Sequence, residues 1–135
     1  MLKIIDASVA IKWFLREEKG MEAALKILDM VAGNPKNFAV PDLFFDEMLS
    51  VLCRLLNDAK AINTYMKALQ ELGLMCLSLG AKTVSTAVEL AKKYNLGGYD
   101  AIYVANAKLT GGVWLTADHR AHSRIVNLGL SKLVA

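Results

Sequence analysis

Four acidic residues stand where an α/β protein would place reactive groups. Asp6 directly follows a short apolar run, Leu2–Ile5, and Asp118 follows Val113-Trp114-Leu115-Thr116-Ala117. If both runs are parallel strands, the two carboxylates project from the carboxyl edge of one sheet, where open parallel sheets bind their ligands. Glu47 lies inside an apolar helical stripe, sharing a face with Leu43, Phe44, Met48, Val51, Leu52 and Leu55. An ionised carboxylate there is costly unless a cation or hydrogen-bond donors meet it. Asp100 heads the apolar run Ala101-Ile102-Tyr103-Val104-Ala105-Asn106-Ala107. Each acid also has an ordinary explanation. Asp100, Asp118 or Thr116 could cap the helix that begins there, and Glu47 could snorkel to solvent from the edge of its stripe. Asp6 is harder to explain so, because Ser8 stands nearer the start of the helix. Gathered together, four carboxylates would repel one another and raise some of their pKa values unless a cation joined them.

The elements that must position these groups follow from periodicity and breakers. Leu2–Ile5 reads as a buried parallel strand. Ser8 is expected to cap a helix through Val9, Ile11, Trp13 and Phe14, with Trp13 and Phe14 in the core or at a dimer interface. After Gly20, Met21, Ala24, Leu25, Leu28 and Val31 recur at helical spacing until Gly33-Asn34-Pro35 stops them. Asn37–Val40 is a second strand. Pro41-Asp42 opens a helix to about Leu56, with Asp42 as a cap and Asp46 facing water. Ala61–Leu72 is its helical partner, and Leu74–Leu77 a third strand. Ala81–Tyr94 is helical through Val84, Val88 and Ala91, and Tyr99–Leu109 is an almost wholly apolar, buried helix. Val113–Leu115 is a strand, Asp118–Asn127 a helix and Leu133-Val134 a last strand. Strands alternating with helices imply a three-layer α/β/α sandwich with a central parallel sheet of about five short strands and right-handed crossovers.

Composition sets the outer bounds. The 135 residues, 55% of them hydrophobic, suit one compact domain, without repeats or low-complexity segments. No apolar stretch approaches the ~20 residues of a membrane span, and Met-Leu-Lys-Ile-Ile-Asp lacks the layout of a signal peptide, so a cytoplasmic protein is expected. The net charge of +3 tolerates a nucleic-acid partner without requiring one. Cys53 and Cys76, among apolar neighbours, are expected to be small buried hydrophobes rather than a disulfide. His119 and His122 lack the company of a closed zinc site and are expected at the surface.

With these residues in view, the chain resembles the PIN-domain family, specifically the small VapC-type toxins of toxin–antitoxin pairs. Ile5-Asp6-Ala7-Ser8-Val9-Ala10 followed by Lys12-Trp13-Phe14 is similar to the first acidic motif, and Val40-Pro41-Asp42-Leu43 leading to Glu47 to the second. Tyr99-Asp100-Ala101-Ile102-Tyr103-Val104-Ala105 is similar to the third, and Leu115-Thr116-Ala117-Asp118 to the fourth. The motifs run in family order over nearly the whole chain. Two positions depart from the pattern. Asn106 stands where relatives commonly have an apolar residue, and Asp118 is followed by His119-Arg120-Ala121-His122, where they often have an acid and then an aromatic residue or leucine.

The resemblance implies an endoribonuclease whose acidic quartet is Asp6, Glu47, Asp100 and Asp118, with Ser8 and Thr116 supporting it by hydrogen bonds. All-carboxylate ligation suits Mg²⁺ or Mn²⁺. Asp6 and Asp100 are the expected direct ligands, Asp118 a third through itself or a bound water, and Glu47 the group that orients or activates water. Lys12 and Arg16, and Arg120 and Arg124, fall at i and i+4 beside the motifs and could grip phosphate, though solvated surface charge explains them as well. The resemblance further implies a homodimer and a cognate antitoxin; apolar faces of the first two helices and the Glu47 hairpin could supply an interface, and the sequence does not say which face meets a partner. It leaves open a non-toxin RNA-processing nuclease, or a PIN-fold RNA- or protein-binding module without turnover. A receiver domain would carry adjacent acids after the first strand, and a haloacid-dehalogenase-like phosphatase a second aspartate where Ser8 stands.

Overall fold

A computed structural model of the chain describes residues 1–15 and 19–135; Arg16, one of the expected phosphate contacts, lies outside them. Five short strands, β1 (Lys3–Ile5), β2 (Phe38–Pro41), β3 (Met75–Leu77), β4 (Val113–Thr116) and β5 (Ser131–Leu133), form one parallel sheet in the order β3-β2-β1-β4-β5. Ile4, Ile5, Ala39, Val40, Trp114 and Leu115 are buried, as strands covered on both faces require. The strand order reverses between β1 and β4, whose register pairs Ile5 with Leu115. That reversal is the switch point at which doubly wound sheets form a crevice.

Among the described residues seven α-helices cover the sheet: α1 (Ala7–Ala10), α2 (Met21–Gly33), α3 (Leu43–Leu55), α4 (Ala59–Glu71), α5 (Ala81–Tyr94), α6 (Gly98–Thr110) and α7 (His119–Ile125). The three-layer architecture is as expected. Several local expectations are not. Helix α1 is a single turn continued by a 3₁₀ turn, and Asp6, not Ser8, is its N-cap. Leu55 is 49% exposed, outside the α3 stripe that buries Phe44, Met48 and Leu52. Helix α5 is turned by one residue from the expected face: Thr83, Ala87 and Leu90 are buried, while Val84 and Val88 are 44% and 56% exposed. Small Ala87 on the inner face lets α5 lie along α6, the neighbour it touches most, and the bulkier valines are left outside. Cys53 and Cys76 are exposed free thiols rather than buried ones, Cys53 on the outer side of α3 and Cys76 on the edge strand β3. Among the described residues no helix is long and apolar enough to cross a membrane.

Helix α6 is the buried centre of the molecule. Ala101, Tyr103, Val104, Ala105 and Ala107 are all buried, and Tyr103 stacks on Trp114 with ring centroids 5.9 Å apart. The turn from α6 into β4 is tight because Gly112 lies against the Leu2 carbonyl, to which the next amide, Val113 N, donates at 2.9 Å. A Cβ at residue 112 would collide with that backbone oxygen, which cannot withdraw without breaking the β1–β4 ladder. Gly112→Ala should therefore cost ~1–3 kcal/mol, the usual range for overpacking a tight site. A chemical-denaturation midpoint equal to that of wild type would show that the approach is not so close.

Candidate active site

Each acid is delivered by a different element. Asp6 leaves the end of β1 in an extended conformation, with its backbone amide still bonded to the Leu115 carbonyl at 2.9 Å. Its Oδ2 accepts from the Ser8 amide at 2.9 Å and its Oδ1 from the Trp114 indole at 3.2 Å. Asp118, beyond β4, caps α7 by accepting from the Ala121 amide at 3.0 Å. Asp100 sits in the first turn of α6, whose N-cap is Gly97, so it does not cap that helix. Glu47 comes from the second turn of α3, where its Oε1 is buried and has no hydrogen-bond partner.

Ser8 and Thr116 tie these elements together. The Ser8 hydroxyl accepts from the Ala117 amide at 2.9 Å and lies 3.4 Å from the Thr116 hydroxyl, which itself accepts from the Asp118 amide at 3.1 Å. The turn after β4 is thereby fastened to α1. Trp114 and Tyr103 were not anticipated at the site; both read as core residues of a strand and a helix. The one sequence signal was a polar-tipped aromatic in otherwise aliphatic surroundings.

The four carboxylates share one field. Burial raises the Asp6 pKa, its bonds to Ser8 and Trp114 partly offset this, and Asp118 adds repulsion. Burial also pushes Glu47 up to about 7, with Asp6 and Asp100 adding to it and the nearby Tyr103 hydroxyl opposing. Asp100 rises to about 6 through burial and repulsion from Asp6 and Asp118, against the attraction of Arg124. The Tyr103 hydroxyl, buried beside this negative charge and without a full hydrogen bond, has its own pKa raised. Among the described residues, no three acidic, histidine or cysteine side chains stand close enough to clasp an ion. Asp6 is still near enough to Glu47, Asp100 and Asp118 for their charges to act on one another, while Asp6 and Asp118 each spend a carboxylate oxygen on a backbone amide. An all-oxygen donor set with one buried, orphaned carboxylate oxygen nevertheless fits a hard divalent cation.

The basic residues are dispersed. The Lys12 ammonium lies beside Gly20, where an added Cβ would meet it at 2.9 Å. Arg120 is exposed on α7. Arg124 donates to the Asn95 carbonyl at 2.6 Å, at the left-handed cap of α5, and from there favours ionised Asp100. His119 is exposed and His122 Nδ1 lies 2.7 Å from the Ser131 hydroxyl, away from the quartet.

The raised pKa values carry a stability consequence. An acid whose folded value lies above its unfolded one favours the fold while protonated, and that contribution disappears as pH climbs through the folded value. For Glu47 the window runs from the ordinary 4.5 to about 7. Metal-free protein should lose melting temperature across this window, and Glu47→Gln, which mimics the protonated form, should flatten the loss. A Tm profile of identical slope in the variant would contradict the assignment. Trp114→Phe, which deletes the indole donor to Asp6, should weaken Mn²⁺ binding by roughly 10–100-fold, the usual cost of losing a ligand's supporting bond. Calorimetric titration would check it, and unchanged affinity would count against Asp6 as a ligand.

Comparison with known proteins places this arrangement. The PIN domain family matches residues 3–127, a span that contains all four acids. No curated protein matches the chain by sequence. Solved structures match over most of its length. A toxin–antitoxin complex from Klebsiella pneumoniae is 15% identical, with a TM-score of 0.70 and 98% of each chain covered. VapBC2 from Rickettsia felis, bound to a DNA fragment from its promoter, is 15% identical with a TM-score of 0.73 and 98% of each chain covered. VapC20 from Mycobacterium tuberculosis, a sarcin-ricin loop cleaving toxin, is 13% identical with a TM-score of 0.72, covering 90% of this chain and 93% of that one. At such identities the likeness is one of fold, and it is the family match, from β1 through α7, that decides membership: the chain belongs to the PIN domain family.

Proposed function

We propose that the chain acts as one PIN domain, a divalent-metal-dependent endoribonuclease and the toxin of a VapBC-type toxin–antitoxin pair in the cytoplasm. The observation that carries this reading is the cleft at the switch point. There Asp6, Glu47 and Asp100, from three separate segments, are raised by burial and by neighbouring acids, Asp118 among them, and the buried Glu47 oxygen lacks a partner. The fold shared with toxin–antitoxin proteins supports the biological half of the proposal.

In this reading Asp6 and Asp100 are ligands of Mg²⁺ or Mn²⁺, with Asp118 a third through itself or a water. The ion would supply Lewis-acid stabilisation of phosphate charge and a more acidic water. Glu47 has the basicity to take a proton from an attacking water, since a group with pKa near 7 can do so at neutral pH. Ser8, Thr116 and Trp114 keep Asp6 and Asp118 in place. Arg120 and Arg124 remain the basic residues nearest the Asp118 turn, and Arg124 would have to leave Asn95 to meet a phosphate. A homodimer and a cognate antitoxin complete the proposal. The exposed Val84 and Val88 of α5 offer an apolar face for such contacts, whereas α1 is spent on the core.

Incubation with structured RNAs should give products in Mg²⁺ or Mn²⁺ and none in chelator. Asp6→Asn and Glu47→Gln should each lower the rate by ~100-fold or more, with circular dichroism and cooperative melting retained. Undiminished cleavage by Asp6→Asn would overturn the assignment, and metal-independent RNA affinity with no products would instead mark a binding module.

A further inference from the structure

A second recess opens on the same edge of the sheet, beyond strands β2 and β3. It holds about 270 Å³ and is walled mainly by Pro41, Leu43, Leu77, Leu79 and Ile102. Polar side chains break this lining: Asp42, Asp46 and Ser78, all exposed, and Asn106, on α6. Asn106 is only 5% exposed and its Nδ2 is buried without a hydrogen-bond partner. An unsatisfied amide in an apolar wall costs stability, and a leucine would fill the same place without that cost. The recess adjoins the cleft: Leu43, Asp46 and Tyr99 line both it and the hollow beside Glu47. Tyr99, 67% exposed, stands at this junction one residue before Asp100.

We propose that this recess is a base-recognition site that takes one unpaired guanine of the RNA beside the cleaved bond. The inference rests on the ribonuclease reading and adds to it a determinant of which RNA is cut. The volume suits one flat ring system, not a run of nucleotides, and lies just under the ~300–1,000 Å³ of ordinary small-molecule pockets. The two aspartates would repel a phosphate, so the occupant is a neutral group carrying hydrogen-bond donors. Single-stranded RNA is read in this manner, with splayed bases stacked on aromatic rings and bonded along their edges. Guanine presents two neighbouring donors, N1–H and N2–H₂, to a carboxylate such as Asp46, and an adjacent acceptor, O6, to the Asn106 amide once that side chain turns its buried Nδ2 into the recess. Uracil would turn a carbonyl oxygen toward the same carboxylate. Tyr99 supplies the stacking surface at the mouth.

Fluorescence anisotropy of the full chain tests this, using short single-stranded oligouridylates with and without one internal guanosine, in Ca²⁺ as a hard cation. The guanosine oligomer should bind roughly tenfold more tightly, as a good bidentate base contact provides. Replacing guanosine by inosine, which lacks the 2-amino group, should remove most of that gain. Asn106→Leu and Asp46→Asn should each bring the two oligomers to near equality while melting stays cooperative. Tyr99→Ala should weaken the guanosine oligomer and Tyr99→Phe should restore it. Equal binding of both oligomers by wild type, a preference that survives Asn106→Leu, or a recess closed by a second copy of the chain would each overturn the proposal. Guanine preference without Mg²⁺-dependent cleavage would sink the ribonuclease reading and spare the recess. Cleavage with no base preference would do the reverse.

Discussion

Burial and neighbouring negative charge together disfavour the ionised forms of Asp6, Glu47 and Asp100, and Asp118 adds to that charge. Three of them stand at helix N-termini, where unpaired backbone amides and the end of the helix dipole favour negative charge. Asp6 and Asp118 accept those amides directly, and Asp100 lies in the first turn of α6. Glu47 alone projects from within a helix. It receives no such compensation, and its oxygen is the orphaned one whose proton is held to about 7.

The sheet makes this crowding possible. Because the strand order turns back between β1 and β4, the ends of two central strands lie side by side with no helix crossing between them. Trp114, at the middle of β4, stacks on Tyr103 of α6 and donates to Asp6 of β1, so a strand, a helix and the first acid are locked by one indole. Tyr103 in turn carries its hydroxyl toward Glu47. Aromatic side chains of the core thus act as the struts of the cleft. The fold itself is shared with solved structures only 13–15% identical to the chain.

Much of this was legible residue by residue. The Asp6 and Asp118 positions followed from apolar runs that end in an acid, and Glu47 from its misfit within an apolar stripe. Misreadings arose where a short-range pattern had two solutions. Val84 and Val88 fit a buried stripe as well as Thr83 and Ala87 do; only the approach of α6 selects the smaller residues. Ser8 and Asp6 are both good caps. Asp6 wins because β1 must run on to it before the chain can turn, and Ser8 is then free to bind the turn after β4. The cysteines were placed inside by their neighbours, yet Cys76 lies on an edge strand, a status no local window reveals.

By itself the sequence determined the alternation of strands and helices, the parallel sheet and the placing of Asp6 and Asp118 beyond strand ends, because hydrophobic period and strand-end position are local properties of the chain. Tertiary structure alone decided the strand order that makes β1 and β4 neighbours, the indole bond that restrains Asp6, the isolation of Glu47 and the hollow around Asn106. These depend on contacts between residues about a hundred positions apart, such as Asp6 with Trp114 and Ser8 with Ala117. Their energies arise only when packed layers exclude water from between them.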